Sequence, residues 1–254
     1  MEEPTSIKKI LLLGGTEEAS KISNIISQDF PEISVINSLA GLTKNPKIQS
    51  GKIIKGGFGG ELGLRKFIIS ENINLIINAT HPFAEKISQS VFSACQENNI
   101  PCVHLRRPPW KLNNYKKISL VKDMESAAKI IKISATRVFV TTGTHDLNVF
   151  KHFNNIWFLI RFLEPPLSIP LIENHNVVIG SPPFSLNSER NIFERYKINC
   201  LLSKNSGGGA TQAKITVAQE LNIPIILLNR PVPPTGTICK TVGGCIKWLK
   251  SRVK

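Results

Sequence analysis

The apolar positions of this chain gather in short, continuous, often β-branched runs: Ile10–Leu13, Leu75–Ile77, Val138–Val140, Trp157–Ile160, Val177–Ile179, Leu201–Leu202 and Ile225–Leu228. Runs this short, with no polar alternation, predict strands buried on both faces, as in a parallel sheet covered by helices. Between them the period changes. Phe83, Ile87, Val91 and Cys95 recur every fourth residue behind Pro82, which suits the first turn of a helix. Ala210, Lys214, Val217 and Leu221 behave likewise, with the Lys214 stem lying along the edge of the buried face. Strand and helix alternate throughout, so the expected class is α/β with mainly parallel sheets.

The two halves of the chain also match each other. Asn99-Ile100-Pro101 through Pro108 aligns without a gap on Asn222-Ile223-Pro224 through Pro231, 123 residues later. Upstream, Ile73-Asn74-Leu75 faces Ile198-Asn199-Cys200 at an offset of 125, and Leu13-Gly14-Gly15-Thr16 faces Thr141-Thr142-Gly143-Thr144 at 128. Three matches in one order at a nearly constant offset predict two similar Rossmann-like domains, residues 1–133 and 134–254. "Helix, Asn-Ile-Pro, strand" is also a common way into a strand. Two such domains would set the carboxyl ends of two parallel sheets around one cleft, where open α/β folds bind ligands.

Composition narrows the picture. The 254 residues are 41% hydrophobic and 20% charged, the balance of an ordered globular chain. No apolar run approaches the roughly 20 residues of a membrane helix, and the acidic start at Met1-Glu2-Glu3 is unlike a signal peptide. Cys95, Cys102, Cys200, Cys239 and Cys245 form no CxxC pair, so they are expected as reduced thiols of a cytoplasmic protein, with neither a metal site nor a membrane partner. The net charge of +14 asks for an anionic partner. Its lysines and arginines are dispersed and accompany no nucleic-acid motif, leaving a small acidic substrate or a solvated basic surface.

Several corners carry possible chemistry. Gly14, Gly15 and Thr16 end a strand and open a helix, with Thr16 as a cap, but Glu17 and Glu18 put negative charge in the first turn. That corner is either a nucleotide site or a plain tight turn. Lys204-Asn205-Ser206-Gly207-Gly208-Gly209-Ala210-Thr211 is the better anion cradle, with Lys204 and Lys214 adding positive charge and no acid before Glu220. In the first half, Thr80 is placed to cap a helix, and His81 either carries a proton or, as a lone histidine at a helix start more often does, serves the structure alone. Ser38-Leu39-Ala40-Gly41-Leu42-Thr43 and Gly56-Gly57-Phe58-Gly59-Gly60 are glycine corners, the latter suited either to close approach by a flat ligand or to flexibility. No nucleophile or metal-ligand motif appears, which points to a bound cofactor doing the hard chemistry.

These motifs resemble those of precorrin-6A reductases. LLLGGT-x-EA (11–19), SLAGLT (38–43), GGFGG (56–60), NATHPFA (78–84), LRRPPW (105–110), TTGT (141–144), WFLIRFLEPP (157–166), LLSKNSGGGATQAKI (201–215) and IPIILLNRP (223–231) occur in that family's order. The resemblance implies reduction of one carbon–carbon double bond in precorrin-6A or its cobalt form, with NADPH or NADH as donor. It implies an acidic tetrapyrrole substrate, in agreement with the charge, sharing one cleft with the cofactor. By matching motif, Gly14, Gly15, Thr16, Thr142 and Gly143 line the cofactor, with Lys204, Asn205, Ser206, Gly207 and Thr211 near nicotinamide or phosphates. Arg106, Arg107, Arg161 and Arg230 are the candidates for gripping substrate carboxylates, and Lys204, His81 or water for supplying the proton. The chain departs from the family at Glu17, where a glycine is usual, and at Ser181-Pro182-Pro183-Phe184, where Gly-Pro-Phe is usual. The enzyme is expected to act as a monomer. A different NAD(P)H-dependent reductase, or a basic RNA-binding α/β protein, is the alternative reading of the same residues.

Overall fold

The computed structural model describes residues 7–39, 50–112, 115–144, 146–166, 168 and 170–253. The first half runs β1 (Lys9–Leu13), α1 (Glu17–Asp29), β2 (Ser34–Leu39), β3 (Lys52–Lys55), α2 (Glu61–Ser70), β4 (Leu75–Asn78), α3 (Glu85–Glu97), β5 (Cys102–Leu105), β6 (Ile118–Val121) and α4 (Met124–Ser134). The second runs β7 (Arg137–Val140), a 3-10 turn (Leu147–Phe150), β8 (Trp157–Phe162), β9 (His175–Ile179), α5 (Leu186–Arg195), β10 (Cys200–Lys204), α6 (Ala213–Glu220), β11 (Ile225–Leu228), β12 (Thr237–Cys239) and α7 (Val242–Lys250).

These strands form two six-stranded sheets, ordered β3-β2-β1-β4-β5-β12 and β9-β8-β7-β10-β11-β6, and every pairing among the described residues is parallel. Each has the doubly wound order in which the chain reverses direction beside the first strand. The repeat read from sequence is a repeat of register: Ile10 faces Leu75 as Val138 faces Cys200, and Ile76 faces Cys102 as Leu201 faces Ile225. Its asparagines have matching tasks. Asn99 and Asn222 sit in the left-handed region with φ of 53° and 56°, ending a helix as asparagine tolerates better than most residues. Asn74 Oδ1 accepts from the N–H groups of Lys8 and Lys9, and Asn199 Oδ1 from those of Thr136 and Arg137, so each asparagine fastens the entry to its domain's first strand.

The division of the chain differs from the expected boundary at 133/134. One compact unit comprises residues 1–108 and 231–254, and the other 109–230. The reason lies in the sixth strands. β6 with α4 belongs by sequence order to the first half yet pairs with β11, and β12 with α7 belongs to the second half yet pairs with β5. Each half thus supplies the edge strand of the other's sheet, and the chain crosses between units at Pro108-Pro109 and Arg230-Pro231.

Burial explains the continuous apolar runs. In β1, Ile10 and Leu12 pack with Ile22 and Ile26 of α1 and Leu249 of α7 on one face. Leu11 and Leu13 pack with Leu64 and Ile68 of α2 and Val91 of α3 on the other. In the second unit Phe139, Leu159, Leu201 and Ile225 pack with Phe193 of α5 and with Ile215 and Val217 of α6. Each such side chain contributes roughly 1.5–3 kcal/mol. β9 is the exception to the expected two-sided burial: it is an edge strand, with Val177 and Ile179 exposed.

At the glycine corner 56–60 the central phenylalanine packs inside the unit, while the space beside Gly56, Gly57, Gly59 and Gly60 is open. Phe58 stands edge-to-face against Phe67 of α2 at 5.1 Å. The helix admits the loop because residue 63 has no side chain: a Cβ there would lie 1.6 Å from the Phe58 carbonyl oxygen. Gly63→Ala is therefore expected to destabilise the protein by about 1–3 kcal/mol, measured as a lowered urea midpoint. An unchanged midpoint would show that the loop relaxes freely.

Candidate functional site

The residues singled out by sequence lie at the carboxyl ends of the central strands in each unit, where a doubly wound sheet presents its loops. In the first unit, Gly14 N–H donates to Ser38 O at 2.9 Å, which draws the β1 corner against β2. Gly15 has φ +94°, with open space where a Cβ would stand. Thr16 caps α1 as expected, its Oγ1 accepting from Ala19 N–H at 3.2 Å and donating to Ala79 O at 2.7 Å. Thr16→Ala is expected to cost about 1 kcal/mol, read from thermal unfolding; no loss would show the cap to be dispensable. The two acids of the first turn are engaged: Glu17 with Lys21 at 2.7 Å and Glu18 with Arg107 at 3.0 Å. Arg107 is thereby held on α1, a tie its expected carboxylate grip would have to share.

The corner after β4 is organised by Asn78. Its Oδ1 accepts from Thr80 N–H and Thr80 Oγ1, and its Nδ2 donates to Ser88 Oγ at 3.0 Å and approaches His104 Nδ1 at 3.0 Å. Thr80 is thus spent on Asn78 rather than capping a helix, and α3 starts only at Glu85, with Ala84 before it and no side-chain cap. Pro82 and Phe83 belong to the preceding turn. His81 Nδ1 accepts from Phe83 N–H at 3.3 Å, so the proton of the neutral ring sits on Nε2. Arg106, half-buried, donates through its guanidinium to Pro231 O, and burial holds it below the usual arginine range. Ala40–Thr43 of the neighbouring motif lie outside the described residues.

The second unit carries the anion corner. Thr141 N–H donates to Leu202 O at 2.9 Å, joining the β7 and β10 corners. Thr142 is buried and its Oγ1 has no hydrogen-bond partner among the described residues. Gly143, with φ +90° and nothing where a Cβ would stand, repeats Gly15. After β10, Lys204 is half-buried; burial pushes its ammonium below the usual lysine range and the Asp146 carboxylate pulls the other way. Asn205 is the fastening point: its Oδ1 accepts from Trp110 N–H at 3.3 Å, and its carbonyl from Arg230 Nε at 2.6 Å. Ser206 is buried, with its N–H on Lys204 O at 2.8 Å. Trp110 Nε1 then holds Gly208 O at 2.9 Å, and Phe184 N–H holds Ala210 O at 3.0 Å.

The carbonyls of Asn205, Gly208 and Ala210 are therefore tied back, whereas among the described residues no acceptor lies against the N–H groups of Gly208, Gly209, Ala210 or Thr211. Consecutive donors left open in a turn suit an anionic group. The helix itself begins later than the glycines suggested: Gln212 N–H closes a turn on Gly209 O, and α6 starts at Ala213 with no side-chain cap.

Two expectations are corrected beneath this loop. Arg161 is 6% exposed and makes a two-pronged ion pair with the fully buried Glu189, at 2.6 and 3.1 Å, between the rings of Phe139 and Phe184. Its guanidinium is a core cation rather than an open grip for substrate. Lys214 does not lie along an edge with its head in water; it is 5% exposed, its Nζ 5.6 Å from the Trp110 ring. Burial, with Arg161 adding to it and Glu189 opposing, pushes its ammonium down to about 7. Trp110 and Glu189 carry this arrangement, and neither stands out in sequence: one ends a proline-rich stretch, the other reads as a surface acid of an N-S-E-R helix. All five cysteines are free, and burial raises the Cys200 thiol to about 12. Among the described residues no helix is long and apolar enough to cross a membrane, and no cluster of three metal-ligating side chains occurs.

A family model described as precorrin-6x reductase CbiJ/CobK matches residues 9–250. The precorrin-6A reductase of Rhodococcus erythropolis is 34% identical over 242 residues, covering 95% of this chain and 97% of that protein. The cobalt-precorrin-6A reductase of Priestia megaterium is 25% identical over 263 residues, covering 96% and 99%. A solved structure of CobK precorrin-6A reductase superposes with a TM-score of 0.90 at 30% identity, covering 97% of each chain.

Proposed function

This chain belongs to the precorrin-6x reductase family, CbiJ/CobK, and we propose that it carries out that family's reaction, the reduction of one carbon–carbon double bond in precorrin-6A or cobalt-precorrin-6A, with NADPH or NADH as donor. The observation that carries the cofactor reading is the corner after β10, where four successive N–H groups face no acceptor among the described residues while the carbonyls of the same loop are held by Trp110 and Phe184. The orphaned Thr142 hydroxyl and the open space at Gly143 and Gly15 fit the same kind of ligand. When bound, a reduced nicotinamide supplies the hydride.

The chain's own residues bind, orient and deliver the proton. Gly208 to Thr211 receive a phosphate or carboxylate on their N–H groups, and Lys204 adds a partly dehydrated cation beside it. Asn205 keeps the loop on β11 through Leu228 O and Arg230, and Ser206 and Gly207 continue the loop toward the open N–H groups. Gly14, Gly15, Thr16, Thr142 and Gly143 shape the two first-strand corners. Arg106 and Arg230 take substrate carboxylates, and Lys204 or His81 supplies the proton. The five unbridged thiols support a cytoplasmic setting.

The test is turnover of precorrin-6A with NADPH, followed by loss of nicotinamide absorbance and the shift of the tetrapyrrole's visible bands. Stereospecific transfer of deuterium from labelled NADPH to a single ring carbon is expected. Oxidation of NADPH without a change in the tetrapyrrole, or no oxidation with either tetrapyrrole form, would overturn the reading. Parallel kinetics with NADH decide the donor.

A further inference from the structure

Within the first unit, one buried histidine, with the Cys102 thiol beside its ring, carries a ring N–H that meets no acceptor in hydrogen-bond geometry among the described residues. His104 lies on β5 opposite Asn78 of β4 and is 2% exposed. The proton's position follows from the neighbours. Thr80 N–H can only donate, so the Asn78 atom it meets is Oδ1, and the atom facing His104 is the amide nitrogen. Asn78 Nδ2 therefore donates to His104 Nδ1, and the neutral imidazole carries its proton on Nε2. That Nε2 is buried and has no hydrogen-bond partner among the described residues.

His104 lines a cavity of about 20 Å³, room for one oxygen atom, together with Thr80, His81 and Arg106. The cavity shares Arg106, Ser88, Pro82 and Pro234 with a second one of about 330 Å³, which continues past Phe92 and Glu85. We propose that this small cavity is a carboxylate subsite of the enzyme, in which His104 Nε2–H and the Arg106 guanidinium hold one acetate- or propionate-type arm of the tetrapyrrole while the larger cavity accommodates the atoms that follow it. The proposal rests on the tetrapyrrole reading above and adds His104 to the residues that set substrate affinity.

The chemistry favours an anion. A neutral Nε2–H and a guanidinium are both donors, so an acceptor-only group satisfies both, and a carboxylate oxygen does so with charge assistance. Glu85 is the one acid of the larger cavity. Its charge acts on Arg106 and opposes an incoming anion.

Three substitutions separate this role from a structural one. His104→Asn keeps an acceptor toward Asn78 and removes the Nε2 donor. His104→Gln places a donor near the Nε2 position. Glu85→Gln removes the opposing charge from an exposed side chain. With precorrin-6A as substrate, His104→Asn is expected to raise its KM about tenfold or more with the KM for NADPH unchanged. His104→Gln is expected to lie closer to wild type, and Glu85→Gln to lower the tetrapyrrole KM. Unchanged tetrapyrrole KM in His104→Asn would overturn the subsite, leaving a cavity for one water, as would a parallel rise in both KM values or a raised tetrapyrrole KM in Glu85→Gln. Titration with an octacarboxylic porphyrin, read by its visible band, keeps the two readings apart. If wild type fails to reduce precorrin-6A, the function falls, but weaker porphyrin binding by folded His104→Asn still supports the pocket, and equal binding overturns it. Should His104→Asn not fold, Glu85→Gln decides alone by the same porphyrin titration.

Discussion

Glu189→Gln is expected to destabilise the protein by about 3–5 kcal/mol, the cost of breaking a buried ion pair by removing one partner. Glu189 is fully buried on α5 and is held by both terminal nitrogens of Arg161. Lys214, from the first turn of α6, faces the same pair. Without the carboxylate, one guanidinium and one amine remain with no anion between them. Urea unfolding of the variant measures the loss, and a loss under about 1 kcal/mol would show that the pair can be neutralised without penalty.

Lys214 supplies the pH dependence of the same cluster. Its native pKa of about 7 lies below the ordinary 10.5, so between these values the unfolded chain holds a proton that the native chain has released. Stability then rises with pH across that window, and the full penalty applies below it. At about 1.4 kcal/mol for each pKa unit, the penalty amounts to several kcal/mol. Lys214→Met, of similar length and without a charge, is expected to be more stable than wild type at pH 6 and to lose that advantage as the pH approaches 10. A gap that does not narrow with pH would mean that Lys214 stays protonated in the folded state.

The fold was legible because β1, β4, β7, β10 and β11 are buried on both faces, which removes polar positions from them and leaves unbroken apolar runs. β3 and β12 were not, because edge strands with exposed residues such as Ile53 and Ile238 lack that signature. The repeat was legible in its turns, since the asparagines that end helices and fasten strand entries are local requirements. The crossing of β6 and β12 was not, because β6 has nearly the same sequence character whichever sheet it joins. At the site, glycines and Thr16 were readable from backbone demands alone. Arg161 and Lys214 were misplaced because their partner Glu189, and the ring of Trp110, come from distant segments whose proximity only the fold creates.

Lys204→Ala is expected to lower kcat/KM by about 10- to 100-fold, the range of a hydrogen bond to a charged group, with little change in melting temperature. The corner loop keeps its shape without this side chain, since Trp110, Phe184 and Arg230 hold it through Asn205, Gly208 and Ala210. What the variant lacks is the cation that the proposed function assigns to the anion held by the four open N–H groups. The first unit's equivalent helix offers an anion less, because Glu17 stands in its first turn and Glu18, though paired with Arg107, keeps a carboxylate there. A difference of about 0.3–1 kcal/mol between the two corners follows from charge at the helix end alone. Lys204→Arg, which restores the charge with a bulkier head, should recover part of the lost efficiency. Unchanged kinetics in Lys204→Ala would remove the residue from the site. A ligand-bound structure with its phosphates on the Thr16 helix would reverse the order of the two corners, while leaving the family unchanged.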